Sequence, residues 1–291
     1  MPPGPGRDRI PVTDTHVHVW DLTGGPFGVH YPWITSGPLH RTHTLTEIAP
    51  HLPDFAVDRL ILVQASDSLA ETDELLRAAD DEAPVRTDVV GWLPLADAGA
   101  CEEALTRRAD ARLVGVRHLI HDEPDTEWML RPDVADGMRV LERSGLTFDA
   151  VAERPDLVAQ IPTVAERHPD LTLVLDHLGK PPIASGWHSE PAREWAAQLR
   201  EVSRAETVRA KISGLGTVSP SPWRPAHWQP FVDHALECFG PSRLMIGSDW
   251  PVSTLAGDYP TVMAGLLDVV AMLSEDERRA ILGATAARTY S

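Results

Sequence analysis

Lysine is nearly absent from this sequence. Lys and Arg together number 26 in 291 residues, yet the only lysines are Lys180 and Lys211. A coding bias that replaced surface lysine by arginine is the simplest explanation. Both remaining lysines fall beside other candidate site residues, however, and there a compact ammonium does not act like a planar guanidinium.

Cysteine and long apolar segments are also scarce. Cys101 and Cys238 are too few for a disulfide framework, which indicates a reducing compartment. No apolar run approaches the ~20 residues of a membrane-spanning helix. Residues 1–9 are rich in Pro and Gly without the apolar core of a secretory signal, so we expect a disordered tail there. These features predict a cytoplasmic protein that does not contact membranes.

The chain lacks net positive charge. Asp and Glu number 43, and the formal net charge is −17. Nucleic acid and anionic membranes repel such a chain, which excludes them as expected partners. A small molecule is the expected partner, and a homo-oligomer stays open.

The length of the chain and its hydrophobic pattern predict one α/β domain. A chain of 291 residues can bury a full core and suits a single barrel of ~250 residues. Amphipathic segments alternate with eight short apolar ones, which are predicted strands: Val12–His18, Arg59–Gln64, Val89–Leu93, Leu113–His118, Leu146–Asp149, Thr172–His177, Val208–Ser213 and Arg243–Asp249. This alternation implies parallel strands, and eight units predict a (β/α)8 TIM barrel over residues 10–291.

Amphipathic segments predict helices, and the sequence contains a start signal for the last of them. They cover Thr72–Glu82, Ala135–Arg143, Leu157–Arg167, Ala192–Arg204 and Pro230–Phe239, and Ser274 with Glu277 predicts a capping box for the last helix. The interval from Asp21 to Asp58 has no such pattern. Long loops after barrel strands lie over the pocket, so we expect this one to cover the site, with Trp33 as a wall.

Polar side chains stand where the predicted strands end. His16 and His18 share one face of the first strand because the side-chain period of a strand is two. Later strands end on Gln64, Trp92, Arg117, His118, Asp149, His177, Lys211, Ser213 and Asp249. Unpaired polar groups are costly inside an apolar barrel, and barrel active sites lie at this edge, so the residues together predict a polar pocket.

Five segments together resemble one known family. They are DTHVHVWD, GVRHLIHDEPD, LVLDHLGKPPI, KISGLGT and RLMIGSDWPVS. In this order they resemble the amidohydrolase superfamily, and within it the branch of sugar-lactone and 2-pyrone-4,6-dicarboxylate lactonases. The resemblance runs from Val12 to Tyr290. It implies a distorted (β/α)8 barrel and hydrolysis of a lactone ring.

The resemblance also implies roles for individual residues. The family's strand-1 pair corresponds to His16 and His18, its strand-6 histidine to His177, its strand-8 aspartate to Asp249 and its arginine after strand 4 to Arg117. Many members of the superfamily bind zinc with such residues. The branch of lactonases is regarded as working without metal, so the resemblance favours a protein that requires no cofactor.

Two departures from the family pattern bear on a metal. Asp149 stands where a strand-5 histidine is expected, and strand 4 does not end on a metal-bridging lysine. Both departures argue against a binuclear site. A single zinc held by His16, His18 and Asp249, with or without His177, stays open because zinc accepts nitrogen and oxygen ligands. A third departure, His43 in place of a frequent tyrosine, bears on the identity of the substrate.

Lactone opening needs a base for water and donors for the developing oxyanion. We expect Asp249 to be the base, with His16, His18 and His177 polarising the carbonyl or orienting the water. Arg117, Gln64, His118 and Lys211 would bind ring hydroxyls or a carboxylate, and Trp33, Trp92 and Trp250 would offer flat apolar faces. A sugar lactone such as L-fucono- or L-rhamnonolactone is the expected substrate.

Three alternatives remain at this point. A 2-pyrone-4,6-dicarboxylate substrate carries two negative charges and would need several arginines, whereas the strand ends carry Arg117 alone. A zinc-dependent decarboxylase would use the same histidine pair and Asp249. A barrel that binds a ligand without catalysis is the non-enzyme alternative.

Overall fold

Eight parallel strands, paired in chain order, form the centre of the molecule. The computed structural model describes residues 9–291, so the predicted tail lies outside the described residues except for Arg9. The strands are β1 Val12–Val17, β2 Val57–Val63, β3 Arg86–Gly91, β4 Leu113–His118, β5 Thr147–Ala150, β6 Leu173–Leu175, β7 Val208–Ile212 and β8 Leu244–Ile246. The predicted (β/α)8 TIM barrel is confirmed.

The ring closes at the carboxyl end of β1. The backbone N–H of His18 donates to the carbonyl oxygen of Trp250 at 2.7 Å, and that of Asp249 donates to His16 at 2.8 Å. The segment after β8 therefore pairs with the segment that carries both N-terminal histidines. The closure itself brings Asp249 beside His16 and His18.

Helices follow the strands and cover the outside of the barrel. They are α1 Leu69–Asp81, α2 Ala98–Arg107, α3 Pro132–Ser144, α4 Pro155–Val158, α5 Ile161–Arg167, α6 Glu190–Val202, α7 Pro225–Phe239, α8 Tyr259–Val269, α9 Glu275–Arg279 and α10 Thr285–Thr289. None of these helices, within residues 9–291, has the length and hydropathy needed to cross a bilayer.

Helix boundaries follow local chemistry. The predicted capping box is confirmed, because Ser274 and Glu277 each bond the backbone N–H of the other at the start of α9. The predicted helix Leu157–Arg167 is instead divided into α4 and α5. Pro155 and Pro162 lie in the first turns of these two helices, where a missing N–H is tolerated.

Alternation along β5 and β7 separates two kinds of packing. Phe148, Ala150, Ala210 and Ile212 belong to the large apolar cluster between the strands and the helices. Their neighbours Asp149 and Lys211 point to the opposite face, inside the barrel, because strand side chains alternate. Charged residues therefore occupy the barrel interior, where branched apolar residues are usual.

β6 ends two residues and β8 three residues before the predicted end. β6 ends at Leu175 and β8 at Ile246, so His177 and Asp249 lie in the turns that follow. The φ angle is 54° at His177 and 60° at Asp249. Residues other than glycine rarely adopt this left-handed conformation, and it costs of order 1–3 kcal/mol where it occurs. At His177 and Asp249 this backbone cost accompanies a conformation that directs both side chains to the same site.

Candidate active site

Four side chains converge at the carboxyl end of the barrel. Oδ1 of Asp249 lies 3.8 Å from Nε2 of His16, 3.7 Å from that of His18 and 3.9 Å from that of His177. The Nε2 atoms of His16 and His18 are 3.2 Å apart. All four residues are at most 5% exposed. The structure thus brings together the four residues expected to be catalytic.

Hydrogen bonds on the other ring nitrogens orient two of the imidazoles. Nδ1 of His18 lies 2.7 Å from the carbonyl oxygen of Val63, and Nδ1 of His177 lies 2.8 Å from Oγ of Ser213. Each ring is therefore held at its back, and its Nε2 is directed towards Asp249. Held rings of this kind keep a reactive geometry without reorganisation.

Burial determines the charge of these groups. It lowers the pKa of His16 well below the ordinary value and lowers those of His18 and His177 as well, so the three imidazoles are neutral near pH 7. Burial alone would raise the pKa of Asp249, but the three histidines outweigh it and lower that pKa. Asp249 is consequently an ionised carboxylate facing neutral rings.

A layer of paired charges lies directly beneath His16. Nζ of Lys211 is 2.6 Å from Oδ2 of Asp149, 3.0 Å from Oδ1 of Asp176 and 3.2 Å from Nδ1 of His16. The Arg117 guanidinium lies 3.3 Å from the other Asp176 oxygen, and Tyr290 donates its hydroxyl hydrogen to Asp149 at 2.6 Å. Two cations and two carboxylates thus balance in the barrel interior, as buried charges require.

A cavity of about 130 Å³ opens above Asp249. It is much smaller than the roughly 300–1,000 Å³ of pockets for drug-sized ligands and suits one small molecule. The cavity is lined by His18, Trp33, Ala65, Arg117, Leu119, His121, Val151, Glu153, His177, Lys180, Asp249 and Val252. The expected position of Trp33 at the wall agrees with this lining, and the Trp33 indole donates to the carbonyl oxygen of Ala65 at 2.7 Å.

Five residues expected to bind substrate do not line this cavity. Lys211 is fully buried beneath His16, and Gln64 bonds Asp67 and the carbonyl oxygen of Arg117. Trp92 donates to His118, which also contacts Glu123 and stacks on Trp128. Trp250 packs edge-on against His43. All five residues therefore have partners within the protein. They pack around the site rather than line the cavity.

Three residues that the structure places at the site have no role predicted from the sequence. Asp176 precedes His177 and contacts the buried cations, and Tyr290, directly after the last helix, donates to Asp149 in the same layer. His121 lines the cavity with its Nδ1 unbonded among the described residues. The sequence held one signal for Asp176. Lys211 is one of only two lysines, and a lysine buried at the site requires a carboxylate nearby. The contact of Tyr290 spans 141 positions and left no local signal.

Zinc fits the donor set of this site. His16, His177 and Asp249 each offer one ligand atom, and these atoms lie within 4.8 Å of one another. Ligands of a tetrahedral zinc with bonds of about 2.0 Å are separated by about 3.3 Å, which small side-chain movements would reach from the observed spacings. The nearby Nε2 of His18 is a fourth candidate ligand.

The family model described as Amidohydrolase matches residues 13–291. The chain belongs to the amidohydrolase family. An L-fucono-1,5-lactonase of Burkholderia multivorans is 37% identical, over 96% of this chain and 95% of that protein. An L-fucono-1,5-lactonase of Burkholderia ambifaria is 30% identical, over 95% of this chain and 94% of that protein.

A solved structure shares the same architecture. The crystal structure of an amidohydrolase from Burkholderia multivorans with bound zinc superposes with a TM-score of 0.84 at 34% identity, over 96% of this chain and 99% of that one. A form of that protein with bound HEPES superposes with a TM-score of 0.87. The family and the barrel inferred from the five sequence segments are confirmed.

Proposed function

We propose that this amidohydrolase opens the ring of a neutral sugar lactone, with L-fucono-1,5-lactone as the first candidate. The observation that carries the proposal is one ionised carboxylate, Asp249, within 3.9 Å of three neutral imidazoles at the floor of a small cavity. The two lactonases that share 37% and 30% of its residues support this substrate class.

In the proposed mechanism Asp249 takes the proton of the attacking water. The carboxylate is ionised and faces the cavity, as a base must be. His16, His18 and His177 surround the same point and would orient the water or donate to the developing oxyanion. Asp249 would then return the proton to the leaving ring oxygen, so that one residue serves both proton transfers.

We propose that this chemistry requires no metal. A zinc bound by the histidines and Asp249 would supply Lewis-acid polarisation of the lactone carbonyl. The carboxylate and the imidazoles can provide the base and the hydrogen-bond donors from the chain alone. Removal of metal by a chelator is therefore expected to leave lactone hydrolysis within about twofold of its starting rate, because the proposed base is a side chain.

Charge at the cavity favours a neutral substrate over a dicarboxylate. The two cations that line it are already paired, Arg117 with Asp176 at 3.3 Å and Lys180 with Glu153 at 3.0 Å. A pyrone dicarboxylate would have to displace these carboxylates to gain bidentate contacts. Sugar hydroxyls, in contrast, can use Nε of Arg117 and Nδ1 of His121, which have no hydrogen-bond partner among the described residues.

The proposal is tested with a panel of lactones in a pH-indicator assay, before and after chelation. L-Fucono-1,5-lactone is expected to be hydrolysed with kcat/KM above about 10⁴ M⁻¹s⁻¹, as is typical of true substrates. L-Galactonolactone, which adds one hydroxyl at C6, should be slower by about 10–100-fold, because Leu119, Val151 and Val252 form an apolar wall.

The same panel distinguishes the alternatives. Hydrolysis of 2-pyrone-4,6-dicarboxylate in preference to every sugar lactone would contradict the neutral-substrate assignment. Loss of activity with the chelator and its return with zinc would contradict the metal-independent route and would favour a zinc-dependent reaction. If the protein binds aldonic acids but opens no lactone in the panel, it is a ligand-binding barrel rather than an enzyme.

Gly214 lies so close to His177 that a side chain at this position would displace the imidazole ring. A Cβ at this position would lie 2.8 Å from Nδ1 of His177 and 3.2 Å from Oδ2 of Asp249. Gly214→Ala is expected to displace the His177 ring and to lower kcat/KM for L-fucono-1,5-lactone by on the order of 100-fold, as misplacement by about 1 Å can do. The measurement is steady-state hydrolysis at matched concentrations of folded protein.

Gly145→Ala is the matched control for this substitution. Gly145 has a φ of 69°, close to the 63° of Gly214, but it ends α3 and a Cβ there would meet no atom within 4 Å. Both variants therefore incur a similar backbone cost, and Gly145→Ala is expected to keep full activity. Equal activity of the two variants would show that contact with His177 does not matter.

A further inference from the structure

The hydrogen bonds around His16 form a chain, and each donor in it can be identified by starting from the acceptor at the end, Val63. Nδ1 of His18 lies 2.7 Å from the carbonyl oxygen of Val63. A carbonyl oxygen only accepts, so Nδ1 of His18 carries the hydrogen. An imidazole with one ring hydrogen then leaves Nε2 of His18 as a bare acceptor.

The hydrogen between the two histidines then belongs to His16. The two Nε2 atoms are 3.2 Å apart, within reach of a hydrogen bond, and one of them must donate. Since Nε2 of His18 is bare, the donor is Nε2 of His16. With the single ring hydrogen of His16 on Nε2, its Nδ1 is bare and requires a donor of its own.

Lys211 supplies that donor. Its Nζ lies 3.2 Å from Nδ1 of His16, and an ammonium can only donate. The competing arrangement, in which Nδ1 of His16 donates to Oδ1 of Asp176, has a longer separation of 3.4 Å, and this oxygen already lies 3.0 Å from Nζ of Lys211. Arg117 is 3.5 Å from Nε2 of His16, longer than an ordinary hydrogen bond.

We propose that Lys211 is a positioning residue that fixes His16 as the Nε2–H tautomer and thereby weakens zinc binding at this site. The chain of donors runs from Lys211 through His16 and His18 to Val63. Along this chain, His16 donates its ring hydrogen to His18. This inference concerns the resting site and does not depend on which lactone, if any, is the substrate.

The consequence for zinc follows from the same hydrogens. A cation on Nε2 of His16 requires the ring hydrogen to move to Nδ1. There it would face the Lys211 ammonium, which cannot accept it. Without Lys211, Oδ1 of Asp176 could accept this hydrogen, and the resulting carboxylate–histidine pair is the arrangement that supports zinc ligands in other proteins.

Two measurements test the proposal. In protein labelled with ¹⁵N-histidine, long-range ¹H–¹⁵N spectra without metal should show His16, assigned by the signal missing from His16→Gln, protonated at Nε2. In Lys211→Met the hydrogen should move to Nδ1. Zinc affinity, measured by competition with a chromogenic chelator, should rise by on the order of 10-fold or more in Lys211→Met, the size of effect known for groups that support metal ligands.

Two further variants make the outcomes decisive. Lys211→Met removes the ammonium that contacts both Asp149 and Asp176, so Lys211→Met/Asp149→Asn is the variant to use if the single substitution fails to fold. Lys180→Met removes the other lysine, which lines the cavity and pairs with Glu153. An equal gain in zinc affinity for Lys180→Met would mean that charge alone is responsible and would overturn the proposal. A wild-type His16 protonated at Nδ1 would overturn it without any variant.

Discussion

Asp249→Asn is expected to lower kcat for L-fucono-1,5-lactone by about 10²–10⁴-fold, the range that a positioned base contributes. Asparagine keeps the size of the side chain and its contacts with the three imidazoles but cannot take a proton from water. KM should change much less, because the carboxylate acts in the transition state rather than in ground-state binding. Steady-state kinetics with the pH-indicator assay measures both constants.

Asp136→Asn is the matched control for this loss. Asp136 is exposed on α3, where it pairs with Arg139 at the surface. The substitution makes the same chemical change far from the cavity and should leave kcat unaltered. If Asp249→Asn kept a rate near that of the control, Asp249 would not be the base, and a histidine of the cluster would have to take that role.

Tyr290→Ala is expected to cost about 3–5 kcal/mol of unfolding free energy, as large-to-small aromatic substitutions in a core do. Tyr290 is fully buried and packs with Ile61, Val63, Val90 and Met245 inside the barrel. Its removal leaves a cavity and also takes a hydrogen-bond donor from Asp149. Thermal unfolding should show a midpoint lower by roughly 10 °C for a chain of this size.

Tyr290→Phe separates the two causes of this loss. Phenylalanine fills the same space, so only the hydrogen bond to Asp149 disappears, at a cost of about 1–3 kcal/mol. Met272→Ala is a surface control, because Met272 is 96% exposed and its truncation should leave stability unchanged. A midpoint for Tyr290→Ala equal to that of Met272→Ala would show that the C-terminal residues do not seal the barrel.

The strand order and most strand positions could be predicted from the sequence. β4 was predicted with the bounds that the structure gives it, Leu113–His118. Alternation of apolar segments with amphipathic ones is a local signal, and eight such units leave few arrangements other than a closed barrel. The ends of β6 and β8 were overestimated, since both strands were extended to polar residues of the site, whereas the backbone at His177 and Asp249 is left-handed.

The grouping of the site residues was predictable for a related reason. In a barrel, all strands end at the same edge, so residues that follow different strands meet there whatever their separation along the chain. This is why the sequence alone predicts that His16, His177 and Asp249 lie together. Which strand-end residues face the cavity depends on loop packing, and Trp92, His118 and Trp250 were consequently assigned to substrate although they contact other side chains.

Short motifs and strand periodicity were enough to predict the family, the barrel and the four residues that surround one point. The arrangement of hydrogens at that site could be read only from the folded chain. Lys211 contacts His16 across 195 positions and Tyr290 contacts Asp149 across 141. Hydrogen-bond direction is determined by distances between atoms that are close only in the folded chain, and no local pattern encodes them.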